Sequence, residues 1–355
     1  MNIYLHVEIA VRELDSKILL ATLAASRGHQ VIISDLNSIK RGLHYNVLPP
    51  GIFHTKSLTP NNHKIAIHQL LVDKGFGITS IDEEGGLLRH GYENFAKERY
   101  SDESIRQSSA IFGWGSEDTN TLKKVFPSFS NKIHKTGSAR VDLWKSQFSS
   151  YWKNPKILPT KPFLLISSNL YLANYIKPFY EWGGFKSIKQ KKGLSRYESN
   201  PDMFKKQFYN AAEDHRKLAS FIEAIDHLSK FNNGYDIVLR PHPLENVDAW
   251  KIYLKGIPNV HVIREGSITP WVNCAFAIMH NSCTTALEAS VSKKPIITYL
   301  PFQQNFAWEI PNELGFKVNS LQDLSLKVNQ IFDDFKNGNL KEDDKFMPEL
   351  LSKKI

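Results

Sequence analysis

A chain of 355 residues is too long for one small domain and suits two of ordinary size. Hydrophobic residues at 41% and charged residues at 23% exclude a disordered chain, and two cysteines exclude a disulfide-stapled secreted scaffold. The formal charge of +9 suits anionic partners, among them phosphorylated or carboxylated substrates and anionic lipid.

The first ten residues lack the basic start and apolar run of a signal peptide and read as a strand over 2–9. A helix over 16–26 follows, closed by Gly28, and then a strand over 31–34. This β-α-β opening implies parallel strands. The alternation continues with strands over 77–80, 110–114 and 132–136 between helical patterns at 68–74, 104–109 and 119–125. Three prolines within 152–162 mark a linker. Strands over 163–167, 235–240, 260–263, 274–279 and 295–299 then alternate with helices over 212–230, 284–292 and 320–335. The expected organisation is an α/β chain with a first domain over 1–155, a second over 156–335 and a tail over 336–355. No run of about 18 apolar residues suggests a membrane span, so the expected location is cytoplasmic, with room for peripheral contact at the membrane's cytoplasmic face.

Doubly wound sheets bind ligands just past the carboxyl ends of their strands, so candidate chemistry is sought there. Asp82-Glu83-Glu84-Gly85-Gly86 follows the strand at 77–80. A carboxylate here suits a general base on a hydroxyl, its pKa raised by acidic neighbours, and a solvated acidic loop is the competing reading. Arg240-Pro241-His242-Pro243 closes another strand, and the prolines hold the imidazole at its exit. His242 suits donation to a leaving phosphate. Arg240 suits a charge-assisted contact there, or a carboxylate within the fold.

His280-Asn281-Ser282-Cys283-Thr284-Thr285 opens a helix, with Ser282 or Thr284 as the expected cap. Asn281, Ser282, Thr284 and Thr285 suit a phosphate cradle, and Glu288 lies one turn further, within reach of a ribose hydroxyl. Ser168 ends the first strand of the second half and either touches the same phosphate or turns the chain. Cys283 reads as a small packed residue. Glu8, Arg12, Glu13 and Asp15 follow the first strand, where an acceptor would sit. The basic and aromatic run at 186–206 reads as a solvated face before an anionic-lipid patch, and no motif favours nucleic acid. The sequence has no phosphate loop of the ATPase type and no dinucleotide fingerprint. No cysteine spacing suits a metal.

The order of these motifs is more specific than any one of them. An acidic element, then a His-Pro element, then a Ser/Thr-rich helix start resembles the bacterial sialyltransferases of the GT-B fold and relatives that use CMP-activated nonulosonic acids or Kdo. Stretches at 11–17, 49–52, 56–58, 112–115 and 136–144 are also similar to the bacterial surface carbohydrate biosynthesis protein family. The resemblance implies two Rossmann-like parallel-sheet domains facing a central cleft, the first binding the acceptor and the second the donor. It implies metal-independent transfer of a sialic, pseudaminic, legionaminic or Kdo-type sugar from a CMP-activated donor to a glycan or lipid-linked glycan. No cofactor is implied beyond that donor, and no nucleic acid.

On this resemblance Glu83 is the base, with Asp82 and Glu84 as alternatives. His242 binds the leaving phosphate, and Ser282 and Thr284 hold it. Glu83→Gln and His242→Ala are each expected to cut transfer while the fold persists. A UDP- or CDP-dependent transferase, a nucleotide-sugar epimerase and a non-catalytic surface-polymer assembly protein are the competing readings.

Overall fold

The computed structural model describes residues 1–85, 91–176, 201–305 and 308–340. Gly86 of the acidic loop, most of the basic run at 186–206 and the greater part of the expected tail lie outside the described residues. The chain divides into two compact units, Met1–Trp152 and a second that begins at Lys153. Among the described residues each holds one six-stranded, all-parallel sheet with helices between consecutive strands, the α/β class expected.

In unit 1 the strands are β1 (Asn2–His6), β2 (Gln30–Ser34), β3 (Gly51–Thr55), β4 (Gly77–Ile81), β5 (Ala110–Gly113) and β6 (Ile133–Lys135), in the order β2-β1-β3-β4-β5-β6. The chain runs outward from β1 to β2, then returns to place β3 on the other side of β1. Strand order therefore reverses between β1 and β3, and a ligand crevice opens at such a switch point. In unit 2 they are β7 (Phe163–Ser167), β8 (Asp236–Arg240), β9 (Val260–Val262), β10 (Ala277–His280), β11 (Ile296–Tyr299) and β12 (Phe316–Val318), in the order β12-β11-β10-β7-β8-β9. Here the reversal falls between β7 and β10.

The central strands of unit 2 are buried along their whole length, which suits the unbroken apolar runs Phe163–Ile166 and Ile237–Leu239 of a sheet covered on both faces. The core there joins these strands to the helix Pro201–Lys230 and the helix Leu321–Lys336, with Trp250, Tyr235 and Phe276 filling it.

Several boundaries differ from expectation. The first helix spans Ala10–Ala25, so it begins well before Ser16. No side chain caps it at Ile9; instead Glu13, inside the first turn, accepts the Glu8 N–H at 2.8 Å. β3 went unread because it follows Pro49-Pro50. Its Gly51 lies so close to β1 that a Cβ would come within 2.2 Å of the Asn2 carbonyl oxygen. Cys274 ends the helix Thr269–Cys274 rather than opening a strand, and β10 starts at Ala277. Among the described residues no helix is long and apolar enough to cross a membrane.

Candidate active site

Each unit presents a polar cluster at the carboxyl ends of its strands. In unit 1 the β1/β3 switch point is lined by charges. Lys56, directly after β3, pairs with Glu8 and lies 3.4 Å from Glu13. Glu13 is fully buried. Lys64 donates to the Ser57 hydroxyl at 2.6 Å, and burial with the nearby Arg99 and Lys56 charges lowers its pKa. Burial raises the Glu8 carboxyl, but the hydrogen bond and charge of Lys56 outweigh this and leave it below its usual range.

The acidic loop after β4 resolves into three separate ion pairs. Asp82 binds Arg99 bidentately, at 2.7 and 2.8 Å, and accepts the Glu84 N–H. Its pKa is raised, because burial outweighs the arginine. Glu83 pairs with Lys17 at 2.7 Å, and their side chains are only 3% and 1% exposed. The second carboxylate oxygen of Glu83 is buried with no hydrogen-bond partner. Glu84 pairs with Arg12 at 2.5 Å and keeps a quarter of its side chain exposed. Burial pushes its carboxyl up, yet the charge and hydrogen bond of Arg12 prevail and hold it low. Of the three acids, Glu84 is thus the one that is both ionised and reachable. Glu83, first in line for the base from sequence, is instead the inner half of a buried ion pair. That placement changes the expected effect of Glu83→Gln, because the substitution strands a buried ammonium.

In unit 2 three neighbouring strand ends converge on the switch point. β7 ends in Ser168 and Asn169, β8 in Pro241 and His242, and β10 in Asn281 and Ser282. Ser282 has φ +52°, a left-handed conformation that costs a non-glycine residue about 1–3 kcal/mol. Surrounding bonds hold it there. Its N–H donates to Asn312 at 2.7 Å, its hydroxyl accepts from the Asn312 amide at 2.8 Å, and its carbonyl accepts from Asn169 at 2.9 Å.

Asn281 is buried, donates to the Tyr299 carbonyl at 2.7 Å, and leaves its amide oxygen without a partner. Thr284 flanks the helix Thr285–Val291 and makes no capping hydrogen bond with its side chain. Thr285 lies deeper, 2.9 Å from the Ser167 hydroxyl and 3.3 Å from Cys283 Sγ. Glu288 is buried within that helix, near enough to Arg240 for its charge to act on the guanidinium.

His242 is half-buried, and its Nδ1 accepts the Leu244 N–H at 3.2 Å. A neutral ring so fixed carries its proton on Nε2, which makes that nitrogen a donor. Arg240 is directed elsewhere. Its guanidinium donates to the carbonyls of Glu265 and Gly266 at 2.6 and 2.9 Å and lies 5.0 Å from the Trp271 ring centroid. Burial lowers its pKa to about 10. It thus braces the 265–266 loop through backbone carbonyls, where the sequence suggested a phosphate or a carboxylate as its partner.

Sequence reading missed Glu245, three residues past His242. This carboxylate is fully buried and accepts from the Leu170 N–H, the Ser168 hydroxyl and the Trp250 indole at 2.8, 2.9 and 2.6 Å. It ties the β7 end to the β8 end, and its own N–H returns to the His242 carbonyl. Ser168 is thereby occupied as a support for the loop. Its signal was present as the acid in Pro241-His242-Pro243-Leu244-Glu245, but the partners come from distant segments.

Burial pushes Glu245 up to about 7, so it titrates near neutrality. The folded unit takes its proton before the unfolded chain does, and this contribution to stability is lost as pH rises through 7. Wild type is expected to lose about 3 kcal/mol between pH 4.5 and 8 relative to Glu245→Gln. Urea midpoints of the two proteins at pH 5 and pH 8 measure this, and parallel shifts would refute it.

Neither a protein-family model nor a curated protein sequence matches the chain. Solved structures do. The chain is similar to a UDP-N-acetylglucosamine 2-epimerase at 12% identity, with a TM-score of 0.59 over 97% of this chain and 91% of that one. It is similar to the UDP-GlcNAc 2-epimerase of Neisseria meningitidis, bound to UDP-GlcNAc, at 14% identity and a TM-score of 0.51 over 98% and 96%. It is also similar to the wall teichoic acid polymerase TagF, at 10% identity and a TM-score of 0.56 over 99% and 84%. At these identities the likeness is one of fold, and the chain has the GT-B-type pair of parallel-sheet α/β units.

Proposed function

We propose that this chain is a nucleotide-sugar-dependent enzyme of surface carbohydrate assembly, a glycosyltransferase whose second unit binds the nucleotide. The observation that carries the reading is Ser282, held left-handed at the β7/β10 switch point by Asn312 and Asn169, with His242 following β8 on the other side of β7. A phosphate seated there would take hydrogen bonds from His242 Nε2 and from the Ser282–Thr284 turn as negative charge develops on the leaving group. In unit 1, Glu84 is the carboxylate suited to accept a proton from an acceptor hydroxyl, with Arg12 fixing its orientation.

Solved structures of the same fold are complexes with UDP and with UDP-GlcNAc, and this supports a uridine nucleotide donor. A CMP-activated acidic sugar is the second reading, favoured by the order of the acidic, His-Pro and Ser/Thr elements. Calorimetric titration with UDP, UMP and CMP separates the two. UDP binding is expected, weakened about tenfold or more in His242→Ala and in Asn312→Ala, each of which removes part of the cradle. Preferential CMP binding moves the chain to the second reading. Binding of none of the three, or binding indifferent to both substitutions, removes the nucleotide site.

A further inference from the structure

A second concave site lies in unit 2, beyond the carboxyl ends of β11 and β12. It opens between the loop at 300–304 and the helix Leu321–Lys336 and encloses about 870 Å³, well within the range of ligand-binding cavities. Among the described lining residues it meets the Ser282 turn through Asn312, whose amide is committed to Ser282.

The walls combine two chemistries. Leu326 and the face of Phe302 away from Arg216 present apolar surface, Gln330 and Lys317 present hydrogen-bonding groups, and the Gln304 amide lies just beneath the wall. The oxygen and nitrogen of the Gln304 amide are both buried, and neither has a hydrogen-bond partner. A primary amide left so is costly unless a polar guest completes it. Gln330 accepts from Lys327 at 2.7 Å and retains its own amide hydrogens to donate. Lys317 is exposed at the wall and adds positive charge. A nearby acid, Asp323, is hydrogen-bonded to Ser320 at the start of the helix.

An apolar guest would leave Gln304 stranded. A polyphosphate would need several converging cations, and Lys327 is already placed over the Phe316 ring at 4.5 Å. A sugar offers what these walls match: apolar C–H faces for Phe302 and Leu326, and hydroxyls for the amides. We propose that this cavity binds an oligosaccharide segment, with an acidic substituent of the sugar set against Lys317. The proposal goes beyond the nucleotide reading and does not depend on it.

Calorimetry and saturation-transfer NMR on the full chain test it, with hyaluronan tetrasaccharide as the acidic probe and chitotetraose as the neutral one. The acidic probe is expected to bind more tightly, and Gln304→Ala and Lys317→Ala are each expected to weaken it about fivefold or more. His242→Ala and saturating UMP should leave it unchanged. These two controls keep a failure here distinct from a failure of the nucleotide site. If Gln304→Ala does not fold, Lys317→Ala, at an exposed position, still decides. Four results would each overturn the proposal: no binding of the acidic probe, equal affinity for the two probes, indifference to the wall substitutions, or displacement by UMP.

Discussion

A Lys17→Met variant is expected to lose about 3–5 kcal/mol of unit 1 stability, among the largest effects of any single substitution in that unit. The ammonium and the Glu83 carboxylate meet at 2.7 Å with almost no exposure to water. Removing one partner leaves the other charged and buried, and the desolvation cost of that charge is then uncompensated. Glu83 is especially exposed to this, because its other oxygen already has no hydrogen-bond partner. Glu83→Gln fails for the mirror reason, since Lys17 keeps its charge and loses its counter-ion. The double variant Lys17→Met/Glu83→Leu should recover most of the loss, because a well-packed apolar pair avoids both desolvation costs. Urea denaturation of the three variants measures the cycle. Single-variant losses below about 1 kcal/mol, the value of an exposed pair, would contradict the burial of this one.

The same pair bears on chemistry. The Glu83 N–H donates to the Lys56 carbonyl at 3.0 Å, so the loop that presents Glu84 is pinned to the end of β3 on one side and to the first helix on the other. A loss of activity in Glu83→Gln therefore reports on the position of Glu84 as much as on any proton transfer by Glu83. Glu84→Gln, which leaves the buried pair intact, is the cleaner probe of a base.

The strand ends were legible for a general reason. Unbroken apolar runs such as Phe163–Ile166 announce their own carboxyl ends, and Ser168, His242, Asn281, Ser282 and Thr284 do follow β7, β8 and β10. Partners were not legible. Arg12 and Lys17 come from the first helix and Arg99 from the helix Tyr92–Arg99, and only the fold assigns one to each acid of 82–84. Starting the first helix at Ser16 hid the fact that Glu13 and Lys17 share its buried face. Missing β3 behind Pro49-Pro50 hid Lys56 at the switch point. The left-handed Ser282 was invisible for another reason: glycine or asparagine is the usual sign of that conformation, and here long-range bonds from Asn312 and Asn169 impose it on a serine.

Those switch-point residues give the two units opposite responses to mild acid. His6, His54 and His68 are buried in unit 1, around the ends of β1 and β3 and on the helix Asn62–Asp73. Burial, reinforced by Lys17, Lys56 and Lys64, lowers them to about 4, 3 and 4, with Glu8 opposing at His6. Between pH 6.5 and 4 the unfolded chain binds protons at these sites that the folded unit does not. Stability present above pH 6.5 is therefore lost as pH falls, with a limiting slope of about 4 kcal/mol per pH unit for three sites. By pH 4 the loss reaches about 9 kcal/mol, comparable with a typical domain stability of about 5–15 kcal/mol, and the raised carboxyls of Asp82 and Asp118 offset part of it.

In unit 2, burial raises Asp214 to about 6 and Glu245 to about 7, so the folded state takes these protons first and gains stability as pH falls from 7. His280, lowered by burial to about 3, opposes with one proton. The expected net is a modest gain. Hydrogen exchange at pH 7, 6 and 5, read peptide by peptide, should show protection falling in unit 1 and holding in unit 2. His68→Leu should reduce the unit 1 slope by about a third, since one of three sites is gone. An equal fall in both units would mean that the buried histidines do not govern the acid response.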